Sequence, residues 1–145
     1  MGRVVGRPGG RPSPAGSRLV GRDRRYYGQA VERDAAVEHC LGLPGAYLDN
    51  PWGPEDSVVK VGGKIFAFLG SDGPLRVAVK NTPERVDEWR ARYPEHIGPG
   101  PYLTKATWNY VQATGSGAPD DDEVRELIED SYQLIVATLP KSKRP

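Results

Sequence analysis

Pro51-Trp52-Gly53-Pro54-Glu55-Asp56-Ser57-Val58-Val59-Lys60-Val61-Gly62-Gly63-Lys64-Ile65-Phe66-Ala67-Phe68-Leu69 is the stretch from which the rest of the fold is read. Val58 to Val61 and Ile65 to Leu69 are rich in β-branched and aromatic side chains, which suit the pleated surface of a strand. Gly62 and Gly63 stand between them. Two consecutive glycines can take the positive φ angles of a type I′ turn, so the segment predicts a β-hairpin with a two-residue loop. In that register Val61 opposes Lys64, Lys60 opposes Ile65 and Val59 opposes Phe66. One face then carries Val59, Val61, Phe66 and Phe68, and the other Val58, Lys60, Ile65, Ala67 and Leu69. The first set is bulkier and is assigned to the core; the second is assigned outward.

Downstream, Leu75 to Lys80 alternates as a third strand, with Leu75, Val77 and Val79 inward and Arg76, Ala78 and Lys80 outward. Lys60, Arg76 and Lys80 can thus share one sheet face, as phosphate contacts or as ordinary solubilising charge. Thr82-Pro83-Glu84 is a helix start, with Thr as N-cap and Pro in the first turn. Val86, Trp89 and Tyr93 form its apolar stripe, and Pro94 ends it. A Gly- and Pro-rich loop follows, then a strand from Trp108 to Ala113 with Trp108 and Tyr110 on one face. Asp120 to Glu123 open a long helix whose inner positions are Val124, Leu127, Ile128, Ser131, Ile135 and Thr138, stopped by Pro140. Residues 141–145 read as a frayed tail.

Upstream, Trp52 lies between two turn signals, either plugging the sheet edge or core or serving as a stacking platform. Ala46 to Asp49 fits a short strand. Gln29 to Leu41 has a helical pattern with Val31, Ala35, Cys40 and Leu41 inward, closed by Gly42 and Pro44. Residues 1–28 are rich in Gly, Pro, Arg and Ser, a composition that cannot bury enough apolar surface to order itself. Their seven arginines and one aspartate give +6. The whole chain is +1, which leaves residues 29–145 at −5. The segment reads as a disordered tail, either an arginine arm for phosphates or simply solvated.

With 145 residues, one domain with a genuine core is expected, over residues 29–140. Cys40 is the only cysteine, so no intrachain disulfide forms, and it reads as a partly buried thiol. No apolar run reaches the roughly 20 residues that span a bilayer, so no membrane is expected and the cytoplasm is the expected location. There is no phosphate loop, dinucleotide fingerprint, G-x-S-x-G, H-E-x-x-H or paired cysteine. The expectation is a protein that is not an enzyme and has no metal or cofactor.

Leu43-Pro44-Gly45-Ala46, Pro51-Trp52-Gly53, Lys60-Val61-Gly62-Gly63-Lys64-Ile65-Phe66-Ala67, Val79-Lys80, Lys105-Ala106-Thr107-Trp108-Asn109 and Leu127-Ile128-Glu129-Asp130-Ser131-Tyr132 occur in that order. This ordered set resembles the MmcQ/YjbR family, with coverage from about Gln29 to Lys141. The resemblance implies an α+β domain of two layers. An antiparallel sheet of about five strands would be packed by an N-terminal, a middle and a long C-terminal helix, similar to secretion-chaperone-like and frataxin-like architectures. It also implies DNA binding through a double-wing surface built on the sheet and hairpin. The candidate phosphate contacts are then Lys60, Lys64, Arg76, Lys80 and Lys105, with Trp108 and Asn109 nearby. The alternative is a protein-interaction or chaperone-like module that does not touch nucleic acid. A frataxin-like metal site would need more acids than Glu32, Asp34 and Glu38 supply on the first helix.

Overall fold

Gly62 and Gly63 adopt φ angles of 60° and 87°, the two left-handed conformations of a type I′ turn. The hairpin they close sits inside a computed structural model that describes residues 33–53, 56–70 and 74–145. The arginine-rich segment 1–28 and the inward position of Val31 lie outside the described residues. In chain order the strands are β1 (Tyr47–Asp49), β2 (Ser57–Val61), β3 (Lys64–Gly70), β4 (Arg76–Lys80), β5 (Ile97–Gly98) and β6 (Trp108–Gln112). The helices are α1 (33–41), α2 (Pro83–Arg92) and α3 (Asp121–Thr138). The sheet is antiparallel in the order β1-β2-β3-β4-β6-β5. It has one strand more than expected: the pair Ile97–Gly98, between His96 and Pro99, is too short to show a period.

The hairpin register holds for two pairs and then shifts. Val61 pairs with Lys64 and Lys60 with Ile65, but Val59 pairs with Ala67 rather than Phe66, and Val58 with Phe68. Phe66 and Leu69 are extra residues in β3, bulges that break the alternation of faces. Phe66, Ala67 and Leu69 therefore all enter the core, and Phe68 turns outward. This corrects the expected faces, which had Phe68 inside and Ala67 and Leu69 outside. A strict period of two cannot anticipate an inserted residue, which moves every later side chain to the other face.

The helices cover one face. Val59, Val61, Phe66, Ala67, Leu69, Val77, Val79 and Val111 meet Trp89 of α2 and Val124, Leu127, Ile128, Tyr132 and Ile135 of α3 in one cluster. The Thr82 side chain accepts from Arg85 N as the N-cap of α2. Asp120 and Glu123 form a reciprocal capping box at the start of α3. On α1 the inward residues are Ala36 and Cys40, whereas Ala35 and Leu41 are exposed. The expected face was rotated by one position, because alanines at 35 and 36 make the stripe ambiguous. His39 Nε2 lies 3.0 Å from Glu129 Oε2, out of hydrogen-bond alignment, where α1 meets α3. At the C-terminus, where a frayed tail was expected, the chain is placed in a turn. Lys141–Lys143 form a 3-10 turn, and Arg144 Nε donates to Leu139 O at 2.9 Å, supplying a donor where the helical ladder has run out.

Candidate functional site

The face of the sheet away from the helices carries Lys60, Val58, Ile65, Phe68, Arg76, Ala78, Lys80, Trp108 and Tyr110, as the register requires. No helix covers it. Its centre is a groove of about 790 Å³. Ile65, Phe68, Ala78 and Tyr110 make the floor. Trp52 and Asp56 stand on one side, and Pro101, Tyr102 and Leu103 on the other. Trp52 is 64% exposed, so it is not a core plug; its ring lies within 9° of parallel to Phe68, with centroids 6.2 Å apart. Phe68 in turn meets Trp108 edge-on at 5.6 Å. Three aromatic residues from two strands and a loop are thus in one line of contact.

The loop from Pro99 to Thr107 forms the second wall, and a buried polar knot holds its base. Arg90 Nε donates to Asn109 Oδ1 at 2.8 Å, and Arg90 Nη2 donates to Lys105 O at 2.8 Å and Trp108 O at 3.1 Å. Asn109 Nδ2 donates to Asn81 Oδ1 at 2.9 Å, and Asn81 N to Thr107 O at 2.8 Å. Asn109 is 0% exposed. It is therefore a strut behind the face and not a contact on it, contrary to its expected place among the nucleic-acid residues. At the loop's crest Tyr102 has φ of 64° and a fully exposed side chain. It is the one non-glycine residue with positive φ among those described.

The five expected cations divide. Lys60 Nζ is 2.7 Å from Asp49 Oδ2; the hydrogen bond between them raises the lysine's pKa and lowers the carboxylate's. Lys64 belongs to the pair with core-facing Val61, and its Nζ donates to Thr138 Oγ1 at 3.3 Å on the helix side. The hairpin therefore does not present Lys60 and Lys64 together. Arg76 and Lys80 lie on the open face four residues apart on β4, on either side of Ala78 and opposite Gln112 and Trp108. Lys105 is exposed on the loop. The side chains of Arg76, Lys80 and Lys105 have no ion pair or hydrogen bond among the described residues. Charge is also segregated by layer: α3 holds six acids and one arginine, a net −5, behind the sheet.

Arg90, Tyr102 and Tyr110 were not singled out in the sequence. Tyr110 carried the one usable signal, its shared parity with Trp108. Nothing in the spacing of Arg90 marks it, since its partners come from a loop and a strand 15 to 19 residues away.

A family model described as YjbR matches residues 41–134. The protein YjbR of Escherichia coli (strain K12) is 30% identical over 111 residues, covering 74% of this chain and 90% of that protein. YbdF of Escherichia coli O157:H7 is 34% identical over 110 residues, covering 74% and 87%. Among solved structures, the Deinococcus radiodurans protein DR2400, with a DUF419 domain, superposes with a TM-score of 0.69 at 30% identity, over 76% of this chain and 83% of that one. A Pseudomonas syringae protein shares the fold at a TM-score of 0.56 and 24% identity, over 70% and 97%.

Proposed function

The chain belongs to the YjbR family, and from that premise we propose that it binds nucleic acid on the open face of its sheet, without catalysing a reaction. The observation that carries this reading is the coincidence, on one face that no described helix covers, of the Trp52–Phe68–Trp108 aromatic contact with Arg76 and Lys80, cations without an ion pair among the described residues. Cations supply the sequence-independent attraction to phosphate, and apolar rings supply contacts that phosphate cannot. The acidic α3 lies behind the sheet, where it repels a polyanion least.

A salt-titrated binding assay on the full chain tests this. Replacing Arg76, Lys80 and Lys105 by alanine should weaken binding and reduce the slope of log K against log salt by about 1 for each lost phosphate contact. Lys64→Ala, on the helix side, should leave the slope unchanged. A slope unmoved by the triple substitution would assign the affinity elsewhere, for instance to the seven arginines of residues 1–28. If the full chain fails to bind at low salt, a protein-docking module becomes the better account, and the largely apolar groove is the feature that favours it.

A further inference from the structure

We infer that the groove receives an unpaired nucleobase, so that the ligand class of this face is single-stranded rather than duplex nucleic acid; this rests on the nucleic-acid reading above. The first reason is what the hairpin lacks. A duplex is gripped by cations matched to two phosphate strands, yet Lys60 is engaged by Asp49 and Lys64 is turned to the opposite side of the sheet. The remaining cations, Arg76, Lys80 and Lys105, suit one backbone running beside the groove.

The second reason is the shape and chemistry of the groove. Its floor is Phe68, Ile65, Ala78 and Tyr110, a mostly apolar surface without a charged side chain. Bases inside a duplex have their faces already stacked. Only an unpaired base brings a free π-face to such a floor, and base–aromatic stacking is tolerant of sequence. Both walls end in exposed aromatic rings, Trp52 and Tyr102. An apolar peptide could also lie on such a floor, but it would gain nothing from the uncommitted cations alongside; a phosphate-bearing strand uses both features.

The third reason is Tyr102 itself. A non-glycine residue in the left-handed region carries strain, and such residues concentrate at binding sites. Its side chain is fully exposed among the described residues, so no burial there offsets that strain. A base stacking on the ring would.

Fluorescence titrations of the full chain test the inference. The ligands are an oligothymidylate, an abasic deoxyribose-phosphate strand of equal phosphate number, and a duplex of equal total phosphate. The oligothymidylate should bind about tenfold more tightly than the abasic strand, and should quench the exposed Trp52. Trp52→Ala and Tyr102→Gly should each reduce its affinity about fivefold while leaving the abasic strand's unchanged. Equal affinity for the intact and abasic strands, or for strand and duplex, overturns the inference but leaves the nucleic-acid face standing. No affinity change in either variant, with thermal unfolding unaltered, does the same. Failure of all three ligands at low salt, or quenching by an uncharged Leu- and Phe-rich peptide in their place, overturns both.

Discussion

The hydroxyl of Ser131 on α3 donates to the carbonyl oxygen of Phe66 at 2.6 Å and accepts from the backbone N–H of Lys80 at 2.8 Å. Strand pairing between β3 and β4 runs through Phe68↔Ala78 and Ala67↔Val79 and goes no further. The serine stands where the next rung would be. It connects a carbonyl displaced by the Phe66 bulge to an amide that would otherwise face the interior unpaired. A helix side chain thus completes the sheet where its ladder is interrupted.

Ser131→Ala should consequently do more than remove one hydrogen bond. It strands a donor and an acceptor, each at a cost of about 1–3 kcal/mol when buried, so a stability loss of about 2–6 kcal/mol is expected in denaturant unfolding. A loss under about 1 kcal/mol would mean that the two strands close the rung by themselves.

Tyr102→Gly should behave in the opposite way. The left-handed backbone at φ 64° costs a tyrosine about 1–2 kcal/mol and a glycine nothing. Part of that gain is offset by the greater freedom of glycine in the unfolded chain. Equal or higher stability, by up to about 1 kcal/mol, is the expected result. A marked loss in thermal unfolding would show that the ring packs against the protein.

Cys40 offers a check in alkaline solution. Burial pushes its thiol up to about 12, from an ordinary value of 9.0. The folded state holds the proton that the unfolded state releases first, so this contribution is complete below pH 9 and is lost as pH rises toward 12. Folded protein at pH 8 should react with iodoacetamide only as fast as it opens, and far more slowly than in denaturant. Brisk labelling under native conditions would contradict the placement of α1 against the core.

Glu123 works in the acid range. The Tyr93 hydroxyl, donating to its Oε1, lowers its pKa below the ordinary 4.5, helped by Asp120 N and Arg92. A depressed carboxylate stabilises the fold above its unfolded pKa, and that stabilisation fades as pH falls through the folded one. Glu123→Gln keeps the capping-box acceptor but removes the charge at the N-terminus of α3. The variant should be about 0.5–1 kcal/mol less stable at neutral pH, and its unfolding curve should converge on that of the parent in strong acid. A constant gap across pH would point to lost geometry instead of lost charge.

Much of this architecture was legible because turns and caps are local chemistry. Gly62-Gly63 specified the hairpin, Thr82-Pro83 the start of α2, and Asp120 to Glu123 the start of α3. Trp89, Phe66 and Leu127 were correctly expected to meet in the core. What escaped was set by partners distant in sequence. The bulge at Phe66 is bridged by Ser131 of α3, 65 residues away, and no alternation pattern contains that information. The same shift decided the candidate site, because it sent Phe68 outward to join Trp52 and Trp108. Asn109 was expected near a nucleic-acid contact from the family resemblance, and only the arrival of Arg90 and Asn81 makes it interior.

The ends of the sheet carry a different consequence. Among the described residues, one border is the three-residue β1, and the other is the two-residue β5, followed at once by Pro99, which has no N–H to offer. A stranger seeking to extend the ladder would find only a few backbone groups at either margin. Recognition by strand addition is thereby discouraged, and so is the self-templated stacking that long bare borders invite. Margins this short give a fibre little to seed from, even beside a broad aromatic surface.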